Sequence, residues 1–196
     1  MPLRVISDFI NTQMQEKLLK IVLKNESIKK ILDAAEEVDL PQWYLAGGSI
    51  AQTVWNLQCD LPIEYGISDY DLIYFDKTQE KTEKELRLQN SLSGVPVEIV
   101  NQAFVHTWLP KYLGHTMEPY SSTENVLRLN SATVICVGIK KENGEYKIFA
   151  PYGLEDIFSM TIRPVKGLFT EEMYKSKTQK WKAKWPKIKV GYWNKV

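Results

Sequence analysis

In a chain of 196 residues, the triplet Asp69-Tyr70-Asp71 is where residue type and spacing point most directly to chemistry. Residues two apart on a strand project from one face, so both carboxylates can meet one divalent cation or bridge two. Read as ordinary turn aspartates, they repel each other ahead of the apolar run Leu72-Ile73-Tyr74-Phe75, a cost that a bound cation removes. A third acid, Glu98, is the only charge in Val95-Pro96-Val97-Glu98-Ile99-Val100. It faces either water or a site where a cation neutralises it. If the two strands adjoin, Asp69, Asp71 and Glu98 form a cluster able to hold two Mg²⁺ roughly 3.5–4 Å apart. One ion would activate an attacking hydroxyl and the other would clamp a triphosphate, with a carboxylate accepting the hydroxyl proton.

Upstream, Gly47-Gly48-Ser49 stands between a strand-like run, Trp43-Tyr44-Leu45-Ala46, and a helical one that begins at Ile50. Two glycines allow close backbone approach, and a helix N-terminus offers unpaired N–H groups at the positive end of its dipole. A triphosphate oxygen fits there, with the Ser49 hydroxyl as a further donor. Each motif has an ordinary structural reading: a tight turn, two turn aspartates, a solvent-facing glutamate. Their order along the chain makes them one site.

Asn101, Gln102 and His106 follow the acidic strand. On a helix over 101–109, stopped by Pro110, Gln102 and His106 share a face and are placed to recognise a nucleotide or an acceptor; capping is the alternative. His106 and His115 alone do not make a zinc site. Cys59 and Cys136 are too few for a disulfide framework, and Cys136, amid apolar neighbours in a hairpin strand, reads as core. Arg163 and Lys180 are within the repertoire of phosphate ligands, although structural or solvated roles are commoner.

The elements that must position these groups follow from periodicity. Helices are expected over 11–24 and from an N-cap at Ser27 through Ile28, Ile31, Leu32 and Ala35. Strands are expected over 43–46, 68–76 and 95–100, with Pro96 marking a sheet edge. A charged helix over 79–92 has too few apolar positions for deep burial. Strands over 133–140 and 146–150 flank Asn143-Gly144, a pair suited to a type I′ hairpin turn. A short helix over 153–160 and a last one over 170–185 complete the set, the latter with Phe169, Met173, Trp181 and Trp185 as a core-facing stripe.

The expected class is therefore α/β (α+β), a mixed β-sheet flanked by helices. It forms one domain over 1–196, with N-terminal helices (1–40), a catalytic core (41–165) and a basic C-terminal helix (166–196). The balance of 25 basic to 24 acidic residues excludes a disordered polyelectrolyte. It is uneven: residues 163–196 hold ten lysines and arginines against two glutamates, leaving the first 162 residues net acidic. Such a tail slightly favours a polyanionic acceptor, with Lys180, Lys182 and Lys184 its natural contacts. No apolar run approaches the roughly 20 residues that span a bilayer, and the first residues lack a signal-peptide pattern. The expected location is cytoplasmic.

Together these motifs resemble the small bacterial nucleotidyltransferase-like proteins of the polymerase-β superfamily. Members carry a Gly-Gly/Ser turn, an Asp-x-Asp pair and a third acid on a later strand, matched here by Gly47-Gly48-Ser49, Asp69 with Asp71, and Glu98. The narrower likeness runs over about 43–185. It takes in Val97-Glu98-Ile99-Val100-Asn101-Gln102 with His106, Pro119-Tyr120, Ser131-Ala132-Thr133, Ala150-Pro151-Tyr152-Gly153-Leu154-Glu155-Asp156, Arg163-Pro164, and Lys180-Trp181 with Trp185-Pro186. One departure is the twenty positions from Ser49 to Asp69, longer than the superfamily's usual spacing, which the loop over 58–68 must absorb. The resemblance implies a nucleotidyltransferase fold and a Mg²⁺- or Mn²⁺-dependent transfer of NMP from an NTP to an acceptor hydroxyl. The family has no settled acceptor. A non-catalytic interaction or nucleic-acid-binding module on the same fold is the alternative, and a toxin-like transferase acting on tRNA or protein is a further one.

Overall fold

The computed structural model describes residues 3–195, with side chains described for 12–194. Met1 and Pro2, which enter the leader-sequence reading, and Val196, the end of the expected domain, lie outside the described residues. Two helices, α1 (Leu3–Val22) and α2 (Glu26–Val38), open the fold. The cap of α2 is Asn25 rather than the expected Ser27. Asn25 Oδ1 accepts from Ile28 N at 3.0 Å, while its amide donates to Thr53 Oγ1 and the Tyr70 hydroxyl. An amide can cap and reach outward at once, which a serine hydroxyl is too short to do.

Five strands form a mixed sheet in the order β3-β2-β1-β4-β5: β1 (Tyr44–Ala46), β2 (Tyr70–Tyr74), β3 (Val97–Asn101), β4 (Gly138–Glu142) and β5 (Glu145–Phe149). β2 and β3 run parallel, and the other neighbours are antiparallel. Pro96 immediately precedes β3, an edge strand, as its missing N–H requires. Asn143 and Gly144 both take positive φ between β4 and β5, the expected hairpin turn. The strand before it is shorter than expected, because Thr133–Ile135 winds into a 3₁₀ turn and carries the chain across the sheet end. Cys136 is buried as expected, at the end of that turn rather than within a strand.

One face of the sheet packs Leu45, Tyr70, Leu72, Tyr74 and Ile139 against α1, α2 and α3 (Gly48–Gln58), where Ile28, Ile31, Leu32, Ile50 and Val54 are fully buried. The opposite face holds a smaller cluster of Tyr44, Ala46, Ile73 and Leu127. The helix α4 (Glu83–Ser91) is buried more deeply than expected: Leu88 and Leu92 are inaccessible, and Glu85 accepts from the Tyr74 hydroxyl at 2.6 Å. Residues 101–109 do not form the expected helix. Asn101 ends β3, Val105–Thr107 is one 3₁₀ turn, and Pro110 starts the helix α5 (Pro110–Leu113) instead of stopping one. Proline suits the first turn, where its missing N–H costs nothing.

Beyond α6 (Thr123–Arg128) and α7 (Glu155–Phe158) comes α8 (Glu171–Lys184), capped by Thr170. It buries Tyr174, Thr178 and Trp181, and Trp185 behind it is fully inaccessible; Phe169 is only partly covered. Trp181 and Trp185 meet Trp55 of α3 edge-on, with ring centres 5.7 and 5.5 Å apart. A short parallel pair, β6 (Thr161–Ile162) with β7 (Lys189–Val190), ties the end of the chain down. Among the described residues no helix is long and apolar enough to cross a membrane.

The long connection from α3 to β2 is held by one buried side chain. Asn56 donates to the carbonyls of Ile63 (3.0 Å) and Tyr65 (2.9 Å) and accepts from Trp185 Nε1 (2.7 Å). Gly66, at φ +71°, lies so close to the Trp185 indole that a Cβ would come within 3.1 Å of it. The extra residues between the glycine turn and the aspartates are thus packed against α8. Asn56→Ala strands two carbonyls and an indole N–H in the interior, and should cost about 3 kcal/mol. Urea unfolding measures that loss, and faster amide exchange over 63–68 should accompany it; a loss under about 1 kcal/mol would contradict this role.

Candidate active site

Alternation along β2 sends Tyr70, Leu72 and Tyr74 into the helical core and places Asp71 with Ile73 on the other face. In the parallel register Asp71 is opposite Glu98, so the two carboxylates share that face on adjoining strands. Asp69 lies one step before β2 and is exposed. On the other side of Asp71 is Ala46, and the chain then turns at Gly47. Gly47 takes φ +74°, a conformation that excludes most side chains, and its N–H donates to Val137 O at 3.0 Å. Its missing Cβ would lie 3.5 Å from Asp71 Oδ2. The glycine elbow and the Asp71 carboxylate therefore adjoin.

Gly48 opens α3, and a Cβ there would strike Gln52 Nε2 at 2.9 Å, so the glycine lets Gln52 fold back over the first turn. Gln52 Oε1 is buried without a hydrogen-bond partner, as is the Ser49 hydroxyl. Ser49 lies beneath the turn and not on the cleft surface. The cleft is about 700 Å³. Gly48, Gln52, Asp69 and Asp71 line one wall; Lys177, Lys180 and Lys184 of α8 stand on the other. Glu98 is exposed one strand away and not on the cleft wall.

The lysine wall was only partly legible in the sequence. Lys180 is there, but Lys182 turns away to donate to the carbonyls of Pro186 and Ile188 at the helix end. Lys177, absent from the sequence-based candidates, is the lysine that opposes the upward shift of Asp71, and both aspartates act in turn on its ammonium. Its signal was the spacing 177, 180, 184, one stripe of a helix whose other side buries Tyr174 and Thr178. Met173 belongs to this cleft stripe as well, not to the core.

The three residues after the acidic strand do not line the cleft. Asn101 is a clasp: its amide donates to Asp76 O (2.8 Å) and Gln79 O (3.0 Å), and its Oδ1 accepts from the Asp76 and Ala103 N–H groups. Gln102 is buried, with its N–H on Tyr74 O at 2.8 Å. His106 is half-buried in the 3₁₀ turn with Nδ1 unpartnered, so it shares no helical face with Gln102.

Burial pushes the Asp71 carboxyl up to about 6; Asp69 and Glu98 push the same way, and Lys177 pulls against them. Crowding by protein lowers the Lys177 ammonium, although the side chain reaches solvent through the cleft and the two aspartates resist the shift. Asp71 thus holds negative charge that the chain compensates incompletely. Among the described residues no three His, Cys, Asp or Glu side chains gather closely enough to hold a metal by themselves. Mg²⁺ ordinarily keeps waters and takes one or two carboxylates plus substrate phosphates, and the Asp69–Asp71 pair beside the elbow fits that donor set. The sign of the Asp71 shift gives a stability test on the metal-free chain. Below about pH 4 the carboxyl is protonated in both states and costs nothing; between 4 and 6 the native state holds the extra proton, so stability falls as pH rises. Above 6 the full cost is present, about 1–2 kcal/mol after allowing for partial solvent access. Asp71→Asn should therefore exceed the parent by that amount at pH 7.5 and match it near pH 4 in urea titrations. A destabilised variant at pH 7.5 would refute the assignment.

Comparison with known proteins agrees with this arrangement. The nucleotidyltransferase family's sequence model matches residues 33–190, a span that includes the elbow, the carboxylates and the lysine helix. No curated protein sequence matches the chain significantly. An NMR structure described as revealing a CCA-adding enzyme head domain superposes with a TM-score of 0.72 at 24% identity, over 90% of this chain and 95% of that one. That likeness establishes the shared fold. With four-fifths of its length matched by the family's model, the chain belongs to the nucleotidyltransferases.

Proposed function

We propose that the protein moves a nucleoside monophosphate from an NTP to an acceptor hydroxyl in the cleft between β2 and α8. One observation carries the reading: the Gly47 elbow abuts Asp71 in a cleft whose other wall is a row of lysines. Such a site offers carboxylates for a cation and ammonium groups for a polyphosphate within one enclosure.

In the transfer, the acceptor oxygen attacks the α-phosphorus, the bond from that phosphorus to the bridging oxygen breaks, and pyrophosphate leaves with the electron pair. The chain's own groups have separate tasks. The first turn of α3, with Gly48 and Ser49, presents backbone N–H groups to the triphosphate, the Gly47 elbow lets the phosphates approach it closely, and Lys177 and Lys180 meet their charge from the opposite wall. These donors sit where charge accumulates on the departing pyrophosphate, which is where fixed dipoles and cations lower a barrier most. Glu98, in register with Asp71 and open to solvent, takes the acceptor proton. A divalent ion, Mg²⁺ or Mn²⁺, would be held by Asp69 and Asp71 and would supply neutralisation of the transferring phosphoryl group. Asn101, Gln102 and His106 shape the neighbouring loop, and on this reading act on the nucleotide only through it.

Two measurements test the reading. Millimolar NTP with Mn²⁺ should raise the thermal midpoint by several degrees, and Asp71→Asn should abolish the rise. No rise in the parent would favour a non-catalytic module. In a screen of labelled NTPs and candidate acceptors, Asp71→Asn should lose transfer by about 100-fold or more, whereas Lys177→Gln and Lys180→Gln should mainly weaken NTP binding, by about tenfold each. Full activity in Asp71→Asn would end the proposal.

A further inference from the structure

Three of the blocks by which the chain resembles its family take no part in the carboxylate cleft: Ser131-Ala132-Thr133, the run 150–156, and Arg163-Pro164. Distant in sequence, they meet in one place. A second hollow of about 270 Å³ is lined by Thr133, Tyr152, Arg163, Pro164, Val165 and Lys166. Ala132 and Pro164 pair as an isolated bridge, and Thr133 N donates to Arg163 O at 3.0 Å. Under the hollow, the buried carboxylate of Asp156 accepts from the Thr133 hydroxyl and, at 2.8 Å, from Arg163 Nε.

That buried acid fixes the cation above it. Arg163 spends Nε on Asp156, its side chain stays 53% exposed, and its terminal nitrogens make no hydrogen bond among the described residues. A guanidinium anchored through Nε presents the remaining fork to an oxyanion, with phosphate the best geometric match. Tyr152 is similarly set: its hydroxyl donates to Arg128 O at 3.0 Å, so the ring is held at the hollow while 39% exposed. Pro164 and Val165 add apolar floor. A fixed aromatic ring beside a fixed guanidinium is the chemistry that receives a base with its phosphate.

The hollow is also near the cleft. From Thr133, on its wall, to Val137, whose carbonyl accepts from Gly47 N, is four residues of chain, at most ~14 Å and less where Thr133–Ile135 is wound.

We propose that this hollow receives the terminal nucleotide of the acceptor, its base on Tyr152 and its phosphate on Arg163, with the reacting hydroxyl directed toward the carboxylates. The acceptor role rests on the transfer reading above; the nucleotide site does not. The same chemistry is offered by a free mononucleotide and by the end of an RNA strand, and the test separates them.

The full chain, without metal, is titrated with nucleoside monophosphates and with a short single-stranded RNA while backbone amides are followed by NMR. Saturable shifts are expected at Thr133, Tyr152 and Val165, with Gly48 and Gln52 unmoved. Affinity should fall about tenfold in Tyr152→Leu, the loss of one base stack, and stay near parental in Tyr152→Phe. Arg163→Lys should erase the preference for monophosphate over unphosphorylated nucleoside. Tighter binding of the RNA identifies a strand end as the acceptor; equal or weaker binding identifies a mononucleotide. Shifts confined to the cleft, no shifts at millimolar ligand, or unchanged affinity in Tyr152→Leu would overturn the proposal. NTP with Mg²⁺, read at Gly48 and Gln52, keeps the two readings apart. A cleft response without a hollow response sinks only the acceptor site, and the reverse removes the transfer reading while the nucleotide site stands.

Discussion

The fold is organised around a negative charge kept where water reaches it poorly. Asp71 sits between the Gly47 elbow and Glu98, with Asp69 two residues before it, so three of its surroundings are backbone or like charge. Proteins rarely leave a carboxylate so placed unless something else completes it, because burial and like charge both disfavour the ionised form. The chain supplies part of the answer in Lys177. On the proposed reading a cation held together with a phosphate would supply the remainder, and a perturbed carboxylate in a cleft is the mark of a functional site more than of strained packing.

Holding lysines opposite that charge requires a helix fixed in both position and rotation. Three indoles do this: Trp181 and Trp185 stand edge-on to Trp55 of the helix that the elbow begins, and Lys177 lies over the Trp181 ring at 5.4 Å. The elbow and the lysine wall are thus two ends of one aromatic contact. Trp185 also anchors Asn56, and through it the connection that delivers Asp69. A change in this layer would disturb the cleft at three points without touching a carboxylate.

How far the sequence could be read depended on whether a residue's role was settled by its neighbours in the chain. Asn143-Gly144 predicts its turn because positive φ is a local demand, and Pro96 predicts a sheet edge because a missing N–H is a local defect. The Asp69–Asp71 pair declares itself because two like charges ahead of an apolar run are a local cost, although Asp69 lies one step before β2 and not within it. Reading failed where a distant partner decided. Ser27 is a good cap in isolation, but Asn25 also bonds Thr53 and Tyr70. The run 101–109 has helical spacing, but Asn101 is committed to the loop after β2 and the segment follows it. Thr133–Ile135 has strand-forming side chains, yet it bends because its backbone is tied to Arg163.

By itself the sequence determined the identity and order of the chemical groups: a glycine elbow, a carboxylate pair, a lone glutamate on an apolar strand, and a basic helix carrying tryptophans. Those are properties of residue type and short-range spacing, which the covalent chain carries unaided. Only the tertiary structure decided that Glu98 faces the same side as Asp71, that Lys177 belongs to the site and Lys182 does not, and that Thr133, Tyr152 and Arg163 share a hollow. Strand register, helix rotation and the meeting of remote loops are set by packing of the whole core, and no local stretch of chain contains that information.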